Sequence, residues 1–272
     1  MKKTHKIILI IISLIIIIFS IIVAFINRTT NSNIDTQKIK SKNMIEYEEF
    51  SKFFNNTINY QNSNVSYVHK IDNGKEIVYS SNINDKKNGA YDIVINVPFL
   101  NINNQKAKKI NQEVTDIFYN KAKDIQKSIN TQKGETVYTV DYAAYVTDNV
   151  LSIAIRSTLK ENNNAQRVII KTYAYNLASN EQISLKEMLT IKNIDANYVQ
   201  KIINNEIKEK NKEIQELEQM GYSVYNRDIN SKIYKIENSN YYLIGENDKI
   251  YVIYPYGNSN YTSETDIVLV NN

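Results

Sequence analysis

The chain has 272 residues, no cysteine, no tryptophan, two histidines and a formal net charge of +4. Without thiols it can form no disulfide, carry no thiolate nucleophile and take no lipid on an N-terminal cysteine. Three of its 33 basic residues, Lys2, Lys3 and Lys6, precede position 7; the remainder is close to neutral, which argues against the concentrated basic face of a nucleic-acid binder.

Residues 7–26 are uncharged, with Ser13 and Ser20 as the only polar side chains. About 20 such residues match a hydrocarbon core roughly 30 Å thick, and Ile, Leu, Phe and Val each favour insertion by about 0.3–0.6 kcal/mol near the centre. The expectation is a transmembrane anchor with residues 1–6 as a cytoplasmic tail, since Lys2, Lys3 and Lys6 lie before the run and only Arg28 closely follows it. A cleaved signal peptide would be shorter and end in a small-x-small site. The stretch Val23-Ala24-Phe25-Ile26-Asn27 offers none.

Residues 27–63 read as a polar linker, with Tyr47, Phe50, Phe54 and Ile58 at the spacing of a short amphipathic helix. Residues 66–71 alternate like a strand, and 91–97 like another that Pro98 stops. Over 104–129, Ala107, Ile110, Val114, Ile117, Ala122, Ile125 and Ile129 make one helical stripe. Strands at 135–146, 150–160 and 166–177 form an expected antiparallel meander with one buried face, its first turn at Thr147-Asp148-Asn149. Ser184 is placed to cap a helical turn, and Asp195 to cap a long helix bearing Val199, Ile202, Ile203, Ile207, Ile214 and Leu217 that Gly221 ends. Glu206 and Lys210 stand at i,i+4 on it. Strands are expected at 233–236, 241–244, 249–254 and 265–270. The fold class is α+β: antiparallel sheets with two long packed helices after one transmembrane helix, divided into subdomains at 64–190 and 191–272.

Several local patterns carry a resemblance: Tyr91-Asp92-Ile93-Val94-Ile95-Asn96-Val97-Pro98, Lys109-Ile110-Asn111, Val150-Leu151-Ser152-Ile153, Tyr173-Ala174-Tyr175-Asn176-Leu177, Ile183-Ser184-Leu185-Lys186-Glu187-Met188-Leu189 and Ile250-Tyr251-Val252-Ile253-Tyr254-Pro255-Tyr256-Gly257. In order and spacing they resemble the paired extracytoplasmic domains shared by RsiV-type anti-sigma factors and the N-terminal region of PdaC-type peptidoglycan deacetylases. The resemblance implies a cell-wall sensor or binding module, with lysozyme as a partner. It departs in two places. The family's Gly-Gly-Ala-like turn is replaced by Asn162-Asn163-Asn164-Ala165-Gln166, and residues 1–6 are too few to hold a sigma factor.

No catalytic residue, metal ligand or cofactor is expected. His69 has no Gly-x-Ser-x-Gly elbow to serve, and His5 belongs to the tail. Among carboxylates, Asp141, Glu135, Glu181 and Glu187 were weighed as a hydrolytic pair, which needs two carboxyl groups about 5–9.5 Å apart. The chain is rich in tyrosine, with 21; such a bias fills sheet faces by β propensity alone. The expected binding residues are Tyr254, Tyr256 and Tyr261, taken to be exposed where Pro255 and Gly257 end a strand, with Asn162, Asn163 and Asn164 in the altered turn. The reading is a membrane-anchored extracytoplasmic binding module with a protein partner, lysozyme or another envelope protein. The alternatives are a peptidoglycan-glycan binder that positions envelope enzymes, and a structural accessory.

Overall fold

The computed structural model describes residues 43–128 and 134–271. The expected tail, the membrane segment at 7–26, the linker as far as 42 and Ile129 lie outside the described residues. Among the described residues, no helix is long and apolar enough to cross a membrane.

The first sheet grows from a hairpin. Strands β3 (Val78–Lys87) and β4 (Tyr91–Leu100) pair antiparallel over their whole length. Asn104 then caps the following helix by accepting from Ala107 N at 2.8 Å. That helix is one rod in three pieces: α2 (Gln105–Val114), a π turn (Thr115–Tyr119) and α3 (Asn120–Lys127). The rod carries the chain back to the start of β4, so β5 (Thr136–Thr147) runs parallel to β4 from Tyr91↔Thr136 to Ile95↔Val140. Strands β6 (Val150–Glu161) and β7 (Arg167–Asn176) follow antiparallel. The short strands β2 (Ile58–Gln61) and β8 (Glu181–Gln182) join β5 and β7. The sheet is therefore mixed rather than purely antiparallel, because a long crossover helix precedes its central strand.

The second sheet has the order β1 (Met44–Ile45), β11 (Thr265–Leu269), β10 (Ile250–Pro255), β9 (Tyr242–Ile244), all antiparallel. The described residues hold three further α-helices: α1 (Tyr47–Ser51), α4 (Leu185–Ile191) and α5 (Ala196–Gln219). Ser184 and Glu187 form a capping box on α4, Asp195 caps α5, and Gly221 at φ +88° follows its last turn, as the sequence predicts.

The layers explain the cores. Ala107, Ile110, Val114, Phe118 and Ala122 of the rod pack on Ile93, Ile95, Val140, Tyr142 and Ile153 of the first sheet. The other face of that sheet, with Ala143, Tyr145, Ala154, Val168 and Ile170, meets Leu243, Tyr251, Ile253, Ile267 and Leu269 of the second. The second sheet turns Tyr242, Ile244, Val252, Tyr254 and Val268 toward Val199, Ile203 and Ile207 of α5. The meander is thus covered on both faces, where the alternation had suggested one. Small residues at Ala143 and Ala154 allow the close approach, and Ser152 and Thr172 accept from Ile244 N and Tyr242 N at 2.9 and 3.1 Å, stitching the edge of β9 to the first sheet.

Six further expectations change. The stretch 43–63 belongs to the fold: β1 pairs with β11, and Phe50 and Phe54 are buried between the sheets. Burying two such rings, each worth about 1.5–3 kcal/mol, holds a five-residue helix that could not persist alone. Pro98 does not end β4, since it pairs with Ser80 on one side while β5 stops pairing after Ile95. The extra residue of the π turn rotates the stripe, so Phe118 is fully buried where Ile117 was expected. Residues 66–71 form irregular turns, and 233–236 form two 3-10 turns, not strands. Lys210 pairs with Glu213 at 2.8 Å, because Glu206 is buried and accepts from Asn43 Nδ2 at 3.3 Å.

Candidate functional site

The six residues nominated from sequence divide by burial. Tyr254 and Tyr256 are 4% and 3% exposed, while Tyr261 is 67% exposed. Asn163 and Asn164 are exposed and Asn162 half-buried. The expected exposure of Tyr254 and Tyr256 fails because β10 is an inner strand. Pro255 still pairs with Thr265, and the turn Tyr256–Asn258 folds against β7. Gly257 is required there: a Cβ would stand 1.9 Å from Val168 O and 2.5 Å from Thr262 O.

What holds Tyr256 is a buried polar cluster. Arg227, 2% exposed, meets Asp266 through Nε at 3.0 Å and Nη2 at 3.1 Å, and Glu264 through Nη1 at 2.5 Å. Its Nη1 also donates to Tyr225 O. Tyr256 donates to Asp266 Oδ2 at 2.7 Å and its hydroxyl lies 2.9 Å from that of Tyr234, while Tyr225 stacks on its ring with centroids 4.2 Å apart. Burial pushes the Tyr256 and Tyr254 phenols far up, so both stay protonated donors. This cluster ties the segment after α5 to β11. It is built for structure.

Tyr261 belongs to a different setting. Arg167, the residue that follows the Asn-rich turn and opens β7, donates from Nε to Gly257 O at 2.7 Å and from Nη2 to Asn258 O at 3.2 Å. Its guanidinium carbon lies 4.9 Å from the Tyr261 ring centroid. Asn258 grips Ile170 from both sides, its Oδ1 accepting from Ile170 N at 2.9 Å and its Nδ2 donating to Ile170 O at 2.7 Å. The turn and the tyrosine loop, far apart in sequence, are therefore joined at one end of the first sheet through Arg167. Asn162 adopts φ 54° there, an angle asparagine tolerates in turns. Lys160 Nζ donates to Asn164 O at 2.5 Å across the same turn.

On the helix side of this tip, Asn162 and Asn164 also line a cleft of about 460 Å³ with Lys121, Asp124 and Glu161. Lys121 and Glu161 stand 3.7 Å apart across it. The tip thus offers an exposed aromatic ring over a guanidinium, amide groups on a rigid hairpin and a small charged cleft. Such a set can recognise a partner surface; its groups are donors, acceptors and a ring face.

Each of the four candidate carboxylates has its own setting: Asp141 is held bidentate by Arg156 at 3.0 and 2.6 Å, Glu181 pairs with Lys106 at 2.9 Å, Glu187 caps α4, and Glu135 is exposed just ahead of β5. His69 is exposed in an irregular segment. Sequence reasoning missed Arg167, although a signal existed. Arginine occurs only at 28, 156, 167 and 227 in a lysine-rich chain, and each of the last three uses the fork geometry that lysine lacks.

Two solved structures are similar to this chain, and both are DUF3298 family proteins. One, from Pseudomonas aeruginosa, is 10% identical over 71% of this chain and 89% of its own, with a TM-score of 0.42. The other, from Bacteroides fragilis, is 14% identical over 65% and 82%, with a TM-score of 0.33. No family model matches the sequence, and no curated protein matches it.

Proposed function

We propose that this chain is a binding and sensing module held on the outer face of a cytoplasmic membrane, with residues 7–26 as its anchor and residues 43–271 as its recognition head. Its partner is a protein of the cell envelope, lysozyme foremost. The lysozyme assignment comes from the resemblance to RsiV-type ectodomains.

One observation supports recognition at the tip: Tyr261 is exposed, stacked over Arg167, and Arg167 is itself fixed by two backbone carbonyls. Tyr and Arg in a preorganised pair lose little conformational freedom on binding, which is why they dominate interface hot spots. The Asn163 and Asn164 amides beside them add adaptable hydrogen bonding from a loop on a rigid sheet.

The test is capture of lysozyme by the purified protein, compared with capture by purified sacculi. The reading expects lysozyme retention, weakened by Tyr261→Ala by about 2 kcal/mol. Retention by sacculi alone, or equal lysozyme binding by the Tyr261→Ala protein, overturns it. Anchoring is tested separately by protease access to a C-terminal reporter on intact protoplasts, where release of a shortened chain into the medium would refute the retained anchor.

A further inference from the structure

A second groove lies further along β5, where the sheet changes partners. β4 pairs with β5 only as far as Ile95↔Val140, and β2 takes over from Ile58↔Ala144. Between them Asn56 satisfies the backbone of β5, its N donating to Tyr142 O at 3.0 Å and its Oδ1 accepting from Tyr142 N at 2.9 Å. This hand-over leaves an opening of about 460 Å³ beside β2 and the start of β3. That volume lies within the range of small-molecule sites. It is roughly 20 Å from the tip, counting from Thr136 to Tyr142 at about 3.3 Å per residue.

The lining has a definite chemistry. Tyr60, 39% exposed, and Tyr79 both line the opening; Tyr79 lies beside Phe99 with ring centroids 6.1 Å apart and carries Lys75 over its face, so the free ring surface is that of Tyr60. At the floor the hydroxyls of Ser80 and Tyr142 lie 3.0 Å apart, and either one can donate. The two charged residues present are already engaged: Glu76 Oε2 accepts from the Tyr60 hydroxyl at 2.6 Å, and Lys75 Nζ sits 4.5 Å over the Tyr79 ring centroid. The wall that carries them is fixed. Asn101, buried, accepts from Ile71 N and Asp72 N and donates to Asp72 O and Lys75 O, locking the 71–75 loop.

We infer that this groove binds a neutral pyranose-containing oligosaccharide. A sugar ring shows an apolar C–H face that fits flat on tyrosine, and a rim of hydroxyls that both donate and accept. The paired Ser80 and Tyr142 hydroxyls match that dual character. With Lys75 3.7 Å from Asp72 and Glu76 held by the Tyr60 hydroxyl, the lining carries one charge of each sign, which favours an uncharged ligand over a strongly acidic or basic peptide. The inference is independent of the protein-binding tip, since no residue is shared.

The experiment uses the full-length protein in sugar-free zwitterionic micelles, with tri-N-acetylchitotriose and maltotriose as probes. Saturation-transfer difference NMR is expected to show transfer to the ring C–H protons of at least one trisaccharide. Tyr60→Ala should weaken it about tenfold and Tyr60→Phe, which keeps the ring, by no more than about twofold. If Tyr60→Ala unfolds, Ser80→Ala at the floor carries the same expectation of weakening. Tyr261→Ala should change nothing here while still weakening capture at the tip, which separates failure of one site from failure of the other. Absence of transfer with both trisaccharides, transfer unchanged in Tyr60→Ala or Ser80→Ala, or displacement of the sugar by an uncharged peptide at equal concentration overturns the inference.

Discussion

Arg227 and Arg167 each meet a tyrosine from the loop that joins β10 to β11, yet their surroundings differ. Arg227 is enclosed with two carboxylates and the stacked rings of Tyr225 and Tyr256. Arg167 is held only by carbonyl oxygens, and its tyrosine faces solvent. The same pair of residue types serves as mortar in one place and stands open to solvent in the other. Burial, set by whether α5 and the segment after it cover the sheet, makes the difference, and residue type does not.

The largest expected effect is at the enclosed arginine. Arg227→Ala leaves Asp266 buried without its counter-charge, and should cost about 3–5 kcal/mol in denaturant unfolding; a loss below about 1 kcal/mol would show that the cluster is peripheral. Gly257→Ala comes next. Its Cβ would meet two backbone carbonyls that cannot rotate away, so a loss of about 1–3 kcal/mol is expected, together with loosening of Tyr261 seen as faster amide exchange at Val168 and Tyr256.

A third test concerns a buried carboxylate without an ion pair among the described residues. Glu206 is 7% exposed, its Oε2 has no hydrogen-bond partner among those residues, and burial raises its pKa above the ordinary carboxylate value. With the folded pKa raised, the native state binds the extra proton, so stability falls as pH rises from the unfolded pKa through the folded one. Glu206→Gln should then be more stable than the parent at neutral pH, with the difference closing as pH drops below about 4. A parent whose melting temperature rises relative to Glu206→Gln as pH increases from the unfolded pKa through the folded one would refute this. The smallest stability effect belongs to Tyr261→Ala, within about 0.5 kcal/mol. Any larger loss would move Tyr261 to the structural side of the comparison.

How much of this was legible in the sequence depends on the range of the interaction. Local devices could be read: the Ser184 and Asp195 caps, the Gly221 stop, and the hairpin at Thr147↔Val150 with Asp148 at φ 51°. The strand Val78–Lys87 escaped notice because only Val78, Tyr79 and Ile83 are apolar in it and much of it faces solvent. The fate of Tyr254 and Tyr256 was unreadable locally. Pro255 and Gly257 signal a strand end, but a covering helix, the neighbouring strand and Arg227 bury the rings from distant parts of the chain. In the candidate site the sequence nominates both the turn and Tyr261, but not the arginine that joins them.

The pairing of Met44 with Val268 and Ile45 with Ile267 has a kinetic consequence. β11 lies between β1 and β10, so the second sheet cannot close until the last strand has been made and delivered. Closing so long a loop is slow, because its entropy must be spent before any contact repays it. Through most of synthesis, the faces of the first sheet and α5 that this sheet covers stand bare, a window in which proteases and aggregation compete with folding. A chain that stalls or is clipped before residue 265 loses an inner strand and cannot reach the native state by fraying at an edge.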